Sequence, residues 1–296
     1  MKKLLDTLDS LTDTPLAPNG KTQVKGFGLI SCGNTVHIRH VPFDTPCIIL
    51  VLSGRKVMFE NGRKIVCDAG GVLCVPSPRS YDLRNEPDPN TGRYRALVIP
   101  FQRPHLERLC QAHDLAGHRP EEVPCILHFK NNPLSIAAIE HYLTSGTDNY
   151  LLDHRLLEVL LILVREDNRL LAYVFAAKDW SQRVRAVLAT DLSRKWEIAE
   201  ICHRLATSES TLRRHLKREQ TGFRDLLSEQ RLTSALMQLL QTSLPVTRIA
   251  YDCGYQSVSR FSSNFSKRFG LPPSAFRDAL NESEHTLTVS GQPIVD

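Results

Sequence analysis

Residues 249–269 read IAYDCGYQSVSRFSSNFSKRF. Three phenylalanines, Phe261, Phe265 and Phe269, recur every fourth residue, the spacing that stacks side chains on one face of an α-helix. Serines and basic residues fill the positions between them. The stretch therefore predicts a helix with an apolar back and a polar front. Gly254 ends the helix before it, and Gly270 ends the aromatic helix itself.

A second unit of this kind lies about 48 residues upstream. Ile201 and Cys202 match Ile249 and Ala250, Ala206 matches Gly254, Leu212 and Leu216 match Phe261 and Phe265, and Gly222 matches Gly270. Each unit predicts a short helix, a tight turn and a second helix, the helix-turn-helix arrangement. The small residue in the turn, Ala206 or Gly254, lets the two helices cross steeply. Ser208 is a good N-cap for the second helix of the upstream unit. A long leucine-rich helix from Phe223 to about Thr242 joins the units, and Pro245 opens the one after it. In this motif the second helix lies in the DNA major groove, with its N-terminal half toward the base edges. The phenylalanines are then core, and the serine-rich face meets the DNA.

Taken together these segments resemble the DNA-binding domain of the AraC/XylS transcriptional regulators. The matching stretches are WEIAEI from Trp196, SESTLRRHLK from Ser208, RLTSALMQLL from Arg231, the 249–270 stretch, and PPSAFR from Pro272, so the likeness covers about residues 180–278. The resemblance implies a seven-helix domain with two reading helices in successive major-groove segments, ~34 Å apart on one DNA face. By position it implies base-reading roles for Ser210, Arg213 and Arg214 in the first motif. In the second it implies them for Val258, Ser259, Arg260, Ser262 and Ser263. Arginine suits guanine O6 and N7, serine either base, and valine a thymine methyl. Lys217, Arg248 and Lys267 are expected on phosphates, which position the protein without specifying sequence. Many members carry Arg where this chain has Ser263, so the second motif is expected to lean on backbone contacts.

Charge agrees with a polyanionic partner. The net charge is +5, but residues 178–280 hold 17 Lys+Arg against 10 Asp+Glu, leaving 20 against 22 elsewhere: +7 and −2. A solvated basic surface is the plain alternative. Eight scattered cysteines without a CxxC pair are expected to be reduced core thiols. No apolar run reaches the ~18 residues of a membrane span, and Asp6 and Asp9 break any signal-peptide core in MKKLLDTLDS. The chain is read as cytoplasmic, nucleoid-associated when bound to DNA, with no membrane partner.

The first ~100 residues punctuate like antiparallel sheet. CIILVL (47–52), RKVMFE (55–60), GVLCVP (71–76) and Tyr94–Pro100 predict strands, separated by Ser53-Gly54, Asn61-Gly62 and Gly70-Gly71. Residues 104–115, 133–144 and 150–177 predict helices. LLDHRLLEVLLILV holds more leucine than one amphipathic face requires, which fits either core packing or a second copy of the chain. Many relatives carry a cupin-like barrel and a helical dimerisation segment here. The expected class is therefore α+β: a cupin-like β-barrel with helical dimerisation segment over 1–177, an all-α domain with two helix-turn-helix motifs over 178–282, and a disordered tail over 283–296.

The expected function is sequence-specific promoter binding by a transcriptional activator, with promoter DNA, RNA polymerase and a second copy as partners. Control through the N-terminal domain falls to a small effector or to a regulatory protein. Two enzymatic alternatives are weaker. ICHR at 201–204 has a likeness to the PCHR nucleophile of DNA alkyl-transfer proteins, but Pro is missing and Cys202 sits where a buried alanine is usual. A metal-binding cupin needs an H-x-H pair on one strand face, whereas HIRH puts His37 and Arg39 together and His40 opposite. Neither catalytic residues, nor a metal site, nor a cofactor is expected.

Overall fold

The computed structural model describes residues 27–43, 45–76, 79–113, 115, 125–145, 148–175 and 180–281. The MKKLLDTLDS segment and the expected disordered tail lie outside them. Contacts divide the chain into two units: a helical one, Ala177–Phe276, and one made of the residues on either side of it, Met1–Ala176 and Arg277–Asp296.

In the N-terminal unit the strands form two antiparallel sheets. β1 (Gly28–Cys32), β8 (Tyr94–Pro100), β3 (Cys47–Ser53), β6 (Val72–Val75) and β9 (Leu127–Phe129) make one, in that order; β2 (Val36–Phe43), β7 (Arg79–Glu86), β4 (Arg55–Glu60) and β5 (Arg63–Asp68) make the other. The turn signals act as read. Asn61 and Gly62 both take positive φ, 50° and 77°, as a two-residue hairpin loop requires. Gly54 is at φ 76°, and a Cβ there would lie 2.3 Å from the Glu86 carbonyl oxygen.

The unbroken apolar run of β3 has a simple cause, since its sheet is covered on both faces. Ile48, Leu50 and Leu52 pack against helices α1 (Arg103–Ala112), α2 (Pro133–Thr144) and α3 (Asn149–Glu166). The alternate residues Cys47, Ile49 and Val51 are equally buried. Most of the surplus leucine in α3 goes into this same cluster: Leu152, Leu156, Val159, Leu160, Leu163 and Val164 are buried, while Leu157 and Leu161 are half-buried. The expected helix over 150–177 is broken at Asp167. Its carboxylate accepts from the Arg169 amide at 3.0 Å and from the Arg169 guanidinium. That local bond competes with helix continuation, and a 3-10 turn, Asn168–Leu171, and short α4, Ala172–Phe175, follow.

Strict alternation also fails within HIRH. A bulge between Ile38 and Val41 puts His40 at φ 50°, with its amide donating to Asp82 Oδ1 at 2.8 Å. His37, Arg39 and His40 are all exposed. Among the described residues no group of three or more His, Cys, Asp or Glu is placed to hold a metal ion. All eight cysteines are free thiols, seven of them buried. No described helix is long and apolar enough to cross a membrane.

Lys56 on β4 was not foreseen as a core residue. It is 1% exposed, and its Nζ donates to Asn85 Oδ1 across the β4–β7 pair at 3.0 Å. Burial pushes its pKa down to about 8, against the opposing influence of Cys47, Cys32 and Cys67. A folded-state value below the unfolded 10.5 means that the unfolded chain binds this proton first as pH falls, so the group lowers stability through that window and by a constant amount below it. In urea titrations wild type is therefore expected to gain stability relative to Lys56→Met as pH rises from 8 to 10.5, and an unchanged difference across that window would contradict the depressed pKa.

The helical unit contains α5 (Trp180–Leu188), α6 (Ile198–Arg204), α7 (Glu209–Arg218), α8 (Phe223–Gln241), α9 (Val246–Asp252) and α10 (Val258–Phe269), followed by α11 (Pro273–Asn281). These are the seven helices that the resemblance implies. Leu192 follows α5, and Trp196 precedes α6.

Candidate nucleic-acid interface

The second motif is α9 and α10. α9 ends in a turn whose Gly254 takes φ 77°, with the Gly254 amide donating to the Tyr251 carbonyl and the Tyr255 amide to the Ala250 carbonyl. Ser257 then caps α10, its Oγ accepting from the Arg260 amide. Phe261, Phe265 and Phe269 are fully buried. Their rings contact one another and Tyr255 at centroid distances of 4.6–5.6 Å, and Phe276 of α11 meets Phe265 at 6.2 Å. Aromatic packing of this kind fixes the rotation of α10 about its axis, and so decides which side faces water. Gly270, at φ 84°, closes the helix.

The first motif, α6 and α7, repeats the design. Ala206 takes the left-handed conformation at φ 49°, and the Thr207 amide donates to the Cys202 carbonyl. Ser208 caps α7 through the Thr211 amide, and Leu212 and Leu216 are buried. The offset is 48 residues at the turn (Ala206, Gly254) but 49 from the cap onward (Ser208, Ser257), so the second turn is one residue longer. One sequence match is corrected. Gly222 is not the counterpart of Gly270 in conformation; it is extended and precedes α8, and the left-handed residue after α7 is Gln220, at φ 55°.

On the outer faces, Ser210, Arg213, Arg214 and Lys217 of α7 are exposed. On α10, Ser259, Arg260, Ser263 and Lys267 are exposed, while Val258 and Ser262 are half-buried. Arg248 is exposed on α9. The offset of 49 sets Arg213 and Arg214 opposite Ser262 and Ser263, so the first motif offers guanidinium groups where the second offers hydroxyls. Two of these cations are held by acids one turn away: Arg213 to Glu209 at 2.6 Å and Arg248 to Asp252 at 3.0 Å. Exposed pairs of this kind are worth only ~0–1 kcal/mol, so either guanidinium leaves its acid at small cost. Arg214, Lys217 and Lys267 make no ion pair among the described residues.

Sequence reasoning missed the polar contacts that set α7 in place. Glu219, just past α7, accepts from the Trp180 and Ser181 amides at 2.8 Å and from Ser181 Oγ at 2.6 Å, so a distant carboxylate caps α5. Trp180 stacks on His215 with centroids 4.8 Å apart. A glutamate at a helix end carries no sequence signal for capping another helix 38 residues earlier.

Cys202 is buried, 6% exposed. Burial first and the Glu209 carboxylate second push its thiol upward in pKa, with Arg213 opposing. An alkyl acceptor requires the reverse, a thiol pulled down beside a base.

The geometry defines a class: a pair of helix-turn-helix motifs on one scaffold, preceded by a two-sheet domain. Residues 201–279 match the family described as a helix-turn-helix domain, and residues 46–173 match the ExsA N-terminal regulatory domain. The HTH-type transcriptional activator CsvR of Escherichia coli is 36% identical over 104 residues, 35% of this chain and 39% of that protein. The transcriptional activator AggR, also of Escherichia coli, is 33% identical over 129 residues, 42% and 49% of the two chains. The chain thus spans less than half the length of each of these relatives. A crystal structure of ToxT from Vibrio cholerae shares the fold, with a TM-score of 0.66 over 86% of this chain and 99% of that one, at 18% identity. The chain thus carries a helix-turn-helix domain of the AraC type at 201–279, behind an ExsA-type regulatory domain at 46–173.

The two turns should respond oppositely to substitution. A Cβ on Gly254 would lie 2.5 Å from the Leu192 carbonyl oxygen at a left-handed φ, so Gly254→Ala is expected to cost more than ~2 kcal/mol by urea unfolding. Ala206→Gly should stay within about 1 kcal/mol of wild type. Cys202→Ala should bind DNA as wild type does, and Cys202 should resist iodoacetamide until the domain unfolds; rapid labelling of the native protein would contradict the packing role.

Proposed function

We propose that this protein is a sequence-specific transcriptional activator that docks its two motifs on an asymmetric promoter site. The observation that carries this reading is the repeated design of α7 and α10: two serine-capped helices, each buried on an apolar back and exposed on a front of serine, arginine and lysine. Base reading falls to Ser210, Arg213 and Arg214 on α7, and to Val258, Ser259, Arg260, Ser262 and Ser263 on α10. Lys217, Arg248 and Lys267 take phosphates. The richer donor set of α7 makes the first motif the stronger reader, and α10 contributes mainly through hydroxyls and backbone contacts.

The domain division that goes with this reading is 1–177 for sensing and dimerisation, 178–282 for DNA, and 283–296 as tail. Control runs through the N-terminal domain, by a small effector or by a regulatory protein; the match to a regulatory-domain family supports the location of that control. A solved ToxT structure, of the same fold, carries an unsaturated fatty acid, which supports the small-effector form. Two copies associate through α3, where Leu157 and Leu161 remain half-buried beside Leu109 and Ala112. Output passes to RNA polymerase, in the cytoplasm at the nucleoid, without a catalytic step.

Mapping of bound chromosomal DNA with and without the protein would identify the promoters. On such a promoter, Arg214→Ala is expected to weaken binding by about 1–3 kcal/mol and to relax preference at one base pair. Lys267→Ala should weaken all sequences alike and lower the log–log salt slope by about one. An unchanged footprint and base preference in Arg214→Ala would remove the first motif from the reading.

A further inference from the structure

The two halves of the helical unit are joined through α8 by apolar packing, with Leu232, Ala235, Leu236 and Leu239 buried, and by a set of directional polar contacts. The apolar cluster around the first motif draws on α5, α6, α7 and the start of α8, with Leu226 and Leu227 its last members. The aromatic back of the second motif is built from Tyr255, Phe261, Phe265, Phe269 and Phe276. Between the two, residues of α8 make directional polar contacts in both directions. Glu229 accepts from Arg185 Nη2 of α5 on one carboxylate oxygen and from Arg268 Nη2 of α10 on the other. All three side chains are 18–24% exposed. Two residues on, Arg231 donates from Nε to the Leu192 carbonyl at 3.0 Å and from Nη2 to the Arg194 carbonyl at 2.8 Å. Gly254, the turn residue of the second motif, lies against the same atoms: a Cβ there would be 2.7 Å from Arg231 Nη2 and 2.5 Å from the Leu192 carbonyl oxygen.

Apolar packing holds each reading helix on its own scaffold, but the hydrophobic effect itself is non-directional. Charged hydrogen bonds with both oxygens of one carboxylate engaged are stronger and fix geometry. Fixing register and orientation is also the best-attested use of a sheltered ion network. Arg268 lies in the last turn of α10, so its anchor adds a directional tie from the second reading helix to α5 beside the first motif.

We propose that Glu229, bridging Arg185 and Arg268, sets the spacing and phase of the two reading helices, so that the protein measures the distance between its half-sites as well as their sequence. It is a positioning residue and does not touch DNA. Arg231, seated between the Leu192 and Arg194 carbonyls and Gly254, is the pivot that the bridge locks. The proposal rests on the two-motif reading above.

The test uses the full chain. Random-sequence selection with wild type gives the preferred site, and binding is then measured to that site and to versions with one base pair added or removed between the half-sites. One added pair turns a half-site by about 34° and shifts it by ~3.4 Å, and wild type should lose about tenfold or more. In Glu229→Gln the spacing loss should fall to about threefold or less, with base preference in each half-site unchanged. The triple variant Arg185→Met, Glu229→Met, Arg268→Met removes the bridge without stranding a charge, and should show the same tolerance. A wild-type spacing loss in either folded variant would overturn the proposal. So would failure of both to fold, since the bridge would then be a condition of folding. Wild type selecting no site, or a site with a single half, would instead overturn two-motif binding itself.

Discussion

Everything that makes the helical unit an interface depends on burial of one stripe of each reading helix. Phe261, Phe265 and Phe269 are each 0% exposed, as is Leu212, and Leu216 is nearly so. Full burial of such a side chain is worth roughly 1.5–3 kcal/mol, so three in one helix supply a sum comparable to the ~5–15 kcal/mol net stability of a domain. No nearby rotation of α10 keeps all three inside. The same constraint that folds the helix therefore points its serines, Arg260 and Lys267 outward. Fold and interface are one consequence of one pattern.

The front faces differ more than the backs. In α7 the register places Arg213 and Arg214 where α10 has Ser262 and Ser263, so the first face carries guanidinium groups where the second carries hydroxyls. Glu209 and Asp252 hold Arg213 and Arg248 in weak exposed pairs. Around these faces the scaffold is polar as well as apolar: Glu219 caps α5, and Glu229 spans α5 and α10. In the N-terminal unit a polar contact is likewise built into the interior at Lys56, whose hydrogen bond to Asn85 sits in a covered sheet layer.

Much of this was legible in the residues. Phenylalanine at every fourth position, Gly254 and Gly270 at their helix ends and Ser208 before α7 each have one dominant local meaning, and the structure uses them so. Asn61-Gly62 fixes a hairpin by its own φ preferences, and the strands on either side follow. Less legible were features that depend on partners far along the chain. The order of strands in two sheets, the burial of Lys56 within RKVMFE, and the caps and bridges made by Glu219 and Glu229 are tertiary choices among surface-like residues. Two local readings also failed for local reasons: Asp167 bonds to its own chain and ends α3, and the His40 bulge breaks the alternation assumed for HIRH. The extra residue in the second turn hides in the sequence because the repeat remains close to 48 either way.

The most direct test of the central claim is methylation interference at guanine N7, combined with hydroxyl-radical footprinting, on a promoter fragment that the protein protects. Two buried-back, polar-front helices on one scaffold predict interference in two patches, about one helical turn apart, with backbone protection confined to one face of the duplex. A single patch, or protection spread over opposite faces, would contradict the account.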